Sequence, residues 1–215
     1  LLIICLITLS THAAYILIPM DDSQSNHLKA YGIAYYAIER EVDVDWLLNY
    51  QGGSFLIKQH QNIEKECNIR GVYYQLIANI QSTKILQSIS SPAVNQDIVR
   101  LQKAPKIAIY SPNNKQPWDD AVTLALTYAE IPYEVIYDEE VLSNLLPLYD
   151  WLHLHHEDFT GQYGKFYASY KNATWYKNQK RDYEILANKL GYKKVSSEKL
   201  AVAKKIKEFV AGGGF

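Results

Sequence analysis

The sequence holds two cysteines and one methionine in 215 residues, and it lacks the short motifs that usually mark phosphate, hydrolase and redox sites. It contains no G-x-G-x-x-G, no G-x-x-x-x-G-K-[ST], no G-x-S-x-G and no C-x-x-C. A dinucleotide fingerprint, a P-loop, a serine nucleophile elbow and a dithiol centre are thereby excluded, and no cofactor is implied. Cys5 lies in a leading apolar run. Loss of that run would leave Cys67 alone, so no intramolecular disulfide is expected and the fold must stand on its core. Cys67 sits in "IEKECNIRG", a helical pattern ending at Gly71, where a half-buried structural thiol is expected rather than a nucleophile.

Net charge is also nearly absent, at −1, but it is unevenly spread. Residues 165–207 carry 12 Lys and Arg against 3 acids, and residues 1–164 carry 10 against 19. The basic third is read as the solvated faces of two helices. It leaves room for a protein partner there, and nucleic acid is not expected. A 48% hydrophobic content over this length suffices for one large domain or two small ones.

The run "LLIICLITLSTHAA" (1–14) is uncharged, apolar and closed by small residues. It is expected to be the core and cleavage region of a secretory signal, cut near Ala13 or Ala14, although a hydrophobic first strand is the alternative. It is too short to span a bilayer. The protein is therefore expected to be periplasmic or secreted, without a transmembrane anchor.

Two further blocks are expected, a first α/β half over 15–100 and a second over 101–215, sharing one sheet. In the first, "AYILIPM" (14–20) is a strand, "HLKAYGIAYYAIER" (27–40) a helix capped by Ser25 or Asn26 with Leu28, Tyr31, Ile33, Tyr35 and Ile38 on one face, and "VDVDWLLN" (42–49) a strand. The order returns in "KIAIYS" (106–111), "WDDAVTLALTYAE" (118–130) and "YEVIYD" (133–138). Tyr15 to Val42 and Lys106 to Tyr133 are both 27 residues apart, a spacing suited to parallel strands joined by a helical crossover. A strand at 71–77, helices near 60–70, 81–89 and 139–146, a strand at 150–156 and basic helices near 175–190 and 196–211 complete the pattern. The expected fold class is α/β, a three-layer sandwich on a mostly parallel, flavodoxin-like sheet, truncated at the C-terminus where "GGGF" introduces a strand.

Ligands of open parallel sheets gather at the carboxyl ends of the strands. Three loops qualify there. "PMDDSQSN" offers Asp21 and Asp22, and "SPNNKQPWDD" offers Lys115, Gln116 and Trp118 beside Asp119 and Asp120, though acids at such places also serve as helix caps. The third is "WLHLHHEDFTG" (151–161). By the strand's period of two, His153 and His155 share one side and His156 the other. His155, His156, Glu157 and Asp158 are the candidate catalytic residues; hydrogen-bonded histidines closing the strand, or a zinc site of His153, His155 and Asp158, are the alternatives. A Gly52–Gly53 pair in "NYQGGSF" can let backbone approach a ligand closely. Phe159, Tyr163, Phe166, Tyr167 and Tyr170 recur at helical spacing, as a core stripe or, if exposed, a stacking surface for sugar rings.

The blocks "YILIPMDDSQSNHLKAYGIAYY", "DVDWLLNYQGGSF", "APKIAIYSPNNKQPWDDAVTLALTYAEIPYEVIYD", "YDWLHLHHEDFTGQYGKFY" and "LAVAKKIKEFVAGGGF" resemble, over nearly the whole chain, a family of exported bacterial proteins labelled asparagine synthetase B. The α/β pattern ending in "FVAGGGF" is also similar to class I glutamine amidotransferases, in which such a helix leads to a strand and a cysteine nucleophile. The resemblance implies amide or acyl chemistry on a small-molecule substrate at a cysteine beyond Phe215. ATP-dependent asparagine synthesis is not implied by the residues: Gly52-Gly53-Ser54 departs from the S-G-G-x-D-S pyrophosphate loop, and the expected mature terminus near Ala14 or Tyr15 is not a cysteine. A non-catalytic module of the cell envelope that binds a sugar or peptide is the alternative reading.

Overall fold

The computed structural model describes residues 13–112, 120–154 and 170–215. The chain divides into two compact units: unit 1 holds the described residues up to Ala104 together with Ala125–Ile131, and unit 2 holds Pro105–Leu124 and Pro132–Phe215.

Unit 1 is built on five strands, β1 (Ala13–Ile18), β2 (Val44–Leu48), β3 (Ser54–Lys58), β4 (Gln75–Ala78) and β5 (Asp97–Leu101), in the order β4-β1-β3-β2-β5. Every neighbouring pair is antiparallel. Alternate side chains serve opposite faces. Ile16, Ile18, Val44, Phe55 and Ile57 meet helices α1 (His27–Glu39) and α2 (Gln61–Arg70), while Leu17, Leu47, Leu56 and Ile77 meet α3 (Asn79–Ile89). Covered on both sides, β1 and β3 are apolar through their centres, which is why "YILI" and "FLI" show no alternation.

Helix α1 starts at Asn26, whose side chain accepts from the Lys29 amide at 3.3 Å. Its buried face is Ala30, Ile33, Ala34, Ala37 and Ile38, with Leu28 and Tyr31 exposed. This differs from the expected stripe because small residues, rather than the largest ones, allow close approach. A Cβ at Gly32 would lie 1.8 Å from the Ala129 carbonyl oxygen, so the segment Ala125–Ile131 packs against α1 where only glycine fits. Glu130 of that segment pairs with Lys29 and, at 3.2 Å, with Arg70.

Unit 2 carries a small parallel sheet, β7-β6-β8, formed by β6 (Ile107–Tyr110), β7 (Glu134–Ile136) and β8 (Trp151–Leu154). Around it lie α5 (Asp138–Leu142), a 3-10 turn at Leu146–Leu148, α6 (Thr174–Lys189) and α7 (Val195–Ala211). Helix α4 (Ala121–Ala129) starts in this unit. Ala108, Tyr110, Ile136, Val141, Leu152 and Val202 form the core with Tyr137, Leu146 and Tyr183. Phe215 donates to the Asp150 carbonyl at 3.0 Å and accepts from the Leu152 amide at 2.7 Å, the two-bond pattern of a parallel bridge on the open side of β8.

The expected three-layer sandwich on one mostly parallel, flavodoxin-like sheet is overturned. The strands form one five-stranded antiparallel sheet and one three-stranded parallel sheet. The reason lies at β3. The first 27-residue separation does join strands of one direction, since β1 and β2 each run antiparallel to β3, but the β2–β3 hairpin inserts β3 between them. The second separation joins β6 and β7, which pair in parallel as a crossover requires.

The hairpin turn gives a direct prediction. Gly52 has φ +78°, and a Cβ there would lie 2.2 Å from the Met20 carbonyl oxygen. Gly52→Ala is expected to cost at least about 1–2 kcal/mol from the left-handed backbone alone, plus displacement of the Met20 loop. Equilibrium unfolding monitored at Trp46, whose Nε1 donates to the Gly53 carbonyl at 3.0 Å, measures that loss.

Candidate site: a His–Asp pair at the end of the parallel sheet

In unit 2 the carboxyl ends of β6 and β8 deliver Ser111, which is buried, and His153, which is partly exposed. β8 pairs His153 with Ile109 of β6, so the imidazole stands on the face opposite Tyr110. The residue that meets it is Asp120, just before α4. Its Oδ1 accepts from the Val122 amide at 2.7 Å, and its carbonyl accepts from the Thr123 hydroxyl at 2.9 Å and the Leu124 amide at 3.0 Å. Asp120 is thus the N-cap of α4.

The other carboxylate oxygen, Oδ2, is in close hydrogen-bond contact with His153 Nε2. An ionised carboxylate only accepts. In that contact Nε2 carries a proton, so any partner of a neutral ring's lone pair is met by Nδ1. Asp120 is 7% exposed, and the helix N-terminus favours its negative charge. A histidine oriented by a buried carboxylate is the arrangement that general-base sites use, and it also closes strand ends structurally. Asp120 is visible in the sequence only as one of two acids opening a helix, and His153 only among the hydrogen-bonded histidines closing the strand or in the zinc alternative. The signal that could have joined them is the parallel crossover itself, which brings the start of a helix following β6 to the end of a neighbouring strand.

The expected catalytic residues His155, His156, Glu157 and Asp158 lie outside the described residues, as do Lys115, Gln116, Trp118 and Asp119, the stripe Phe159–Tyr167 and the leading run 1–12. Among the described residues no group of three histidine, cysteine or acidic side chains could hold a metal, and no helix is long and apolar enough to cross a membrane.

Asp21, Asp22, Gly52 and Gly53 are in unit 1, where the structure brings their two loops together. The Met20 amide donates to the Gln51 carbonyl at 2.9 Å. Asp21 Oδ1 accepts from the Ser23 amide at 3.0 Å and from the Ser23 hydroxyl at 2.5 Å. The Ser23 hydroxyl bond is the main reason its carboxyl lies below the usual value. Asp22 is exposed on the same turn. The space that Gly52 leaves is taken by the Met20 carbonyl rather than being open to a ligand. His27 Nε2 lies 3.1 Å from the Met20 carbonyl and 3.2 Å from that of Asp21, so this corner is tied by backbone contacts.

Cys67 is wholly buried in the core between α1, α2 and the sheet, not half-buried as expected. Burial, reinforced by Glu64, pushes its thiol up to about 12, which keeps it from forming the thiolate that nucleophilic chemistry needs. Comparison of the chain with family models, with curated proteins and with solved structures gives no match.

Proposed function

We propose that this chain is part of an exported, glutamine amidotransferase-like protein of the family labelled asparagine synthetase B, acting on an amide at a cysteine that follows Phe215. The observation that carries the reading is the His153–Asp120 contact. In this reading His153 Nδ1 takes the thiol proton, and the thiolate attacks the amide carbonyl. The C–N bond breaks, and the proton passes from His153 to the leaving amine, which departs as ammonia; water then hydrolyses the thioester. Phe215 supports the reading, since its two bonds to β8 set it opposite Trp151, two residues before His153. Export rests on the apolar run Leu1–Ala14.

The second reading, a binder of a sugar or peptide without a nucleophile, is favoured by Cys67, whose buried and weakly acidic thiol performs no such attack. The test uses the full-length mature protein, treated with a thiol-reactive probe and assayed for ammonia from glutamine and asparagine. The proposal expects one cysteine other than Cys67 to be alkylated, protection by one of the two amides, and ammonia release that stops on alkylation. No ammonia and no protectable thiol would overturn it in favour of the binding module.

A further inference from the structure

The basic helix α7 turns its most unusual residues inward. Val195, Lys199, Val202, Ile206 and Phe209 form a single stripe packed on the core of unit 2, and Lys199 occupies one of its apolar slots with no exposure at all. Its Nζ lies 2.7 Å from Asp138 Oδ2, 2.8 Å from the Tyr137 hydroxyl and 3.0 Å from the Tyr110 hydroxyl. Asp138, equally buried, accepts from the Tyr110 hydroxyl through Oδ1. Beside this pair stands Glu198, 1% exposed, its carboxyl within reach of Asp138 and its Oε1 without a hydrogen-bond partner among the described residues.

Charge decides what this cluster can hold. Lys199 and Asp138 cancel, so an ionised Glu198 would leave a net negative charge in a dry core, with one oxygen unsolvated and a second carboxylate in contact. Both effects disfavour the anion. The charged and titratable groups around the pair, among the described residues, are Asp138 at the start of α5, Tyr137 before it, Tyr110 on β6, Tyr183 on α6 and Lys199 on α7 itself. Only Lys199 opposes the rise, and it is already engaged by Asp138.

We infer that Glu198 is the protonated member of a buried carboxyl pair with Asp138, and that this one proton clamps α7 to α5 in a contact that loosens as pH rises. Burial, then the hydrogen bond and charge of Asp138, push the Glu198 carboxyl up to about 8. When α7 opens, Glu198 returns to its ordinary value of 4.5. An acid whose closed-state pKa is raised gives a stabilisation fully present below the open-state value and lost as pH rises to the closed-state value. The opening constant of α7 therefore climbs about tenfold per pH unit between those limits and levels off above the upper one.

The test is amide hydrogen exchange of α7 in the full chain from pH 5 to 9, corrected for intrinsic exchange, in wild type and Glu198→Gln, which keeps a donor to Asp138 but cannot ionise. Infrared spectra taken alongside read the carbonyl stretch of an uncharged carboxyl. The inference expects a steep rise then plateau in wild type, loss of that slope in Glu198→Gln, and a carboxyl band at neutral pH that fades near pH 8 and is missing from the variant. Should the variant fail to fold, the wild-type band alone decides. Absence of the band at pH 7, or equal slopes in the two proteins, would overturn it.

Discussion

Lys199→Met is expected to lower the stability of unit 2 by about 3–5 kcal/mol, the usual consequence of removing one member of a buried ion pair. Methionine matches the lysine stem in length, so the packing against Tyr137, whose ring centroid lies 4.2 Å from Nζ, is largely kept. What is lost is the cation. Asp138 would remain fully buried with the Tyr110 hydroxyl and Glu198 as partners but no opposing charge. Adding Asp138→Asn removes the stranded charge, and the double variant is expected to recover most of the loss. Denaturant unfolding monitored by exchange of α7 amides measures both. A Lys199→Met protein within about 1 kcal/mol of wild type, the scale of an exposed pair, would mean that the pair is solvated.

Asp120→Asn is expected to reduce ammonia release by roughly 10²–10⁴-fold, the range associated with a positioned general base, while leaving α4 intact. The asparagine oxygen can still accept from the Val122 amide, because asparagine caps helices as well as aspartate does. Its NH₂ then faces His153 Nε2 and can only donate. The imidazole must shift its proton to Nδ1, the atom that the proposed chemistry needs free. His153→Ala should show a comparable loss. Steady-state rates of the full-length protein check both. A loss confined to KM, with kcat unchanged, would assign the pair to binding rather than to proton transfer.

Why some of this was legible in the sequence and some was not follows from the kinds of signal involved. Helix α2 ends at Gly71, with φ +67°, and α1 begins at a capping asparagine, because caps are local chemistry. The β6-α4-β7 crossover was legible because β6 is four buried apolar residues followed by a helix of suitable length. β3 was hidden behind the Gly52–Gly53 turn, which gives a turn but not the strand beyond it, and that omission misassigned the whole first sheet. β5, whose middle residue Val99 is exposed, has too weak a pattern to stand out from a linker.

The site shows the same division. Asp120 is locally a cap, and its second role exists only because β8 brings His153 to it. Lys199 and Glu198 resemble the solvated face of a basic helix in composition. The burial of Lys199 was nevertheless encoded, since it falls four residues after Val195 and three before Val202 in an otherwise apolar stripe. A charge in such a slot signals a buried partner on the facing element, here Asp138.

The measurement that tests the central claim most directly is the nitrogen-15 NMR spectrum of the His153 ring in wild type and Asp120→Asn. If Asp120 fixes the imidazole as described, the neutral wild-type ring holds one tautomer, with the proton on Nε2, and the variant moves the proton to Nδ1. A wild-type ring that averages between tautomers, with shifts unchanged by Asp120→Asn, would contradict the account and leave His153 as the polar end of a strand.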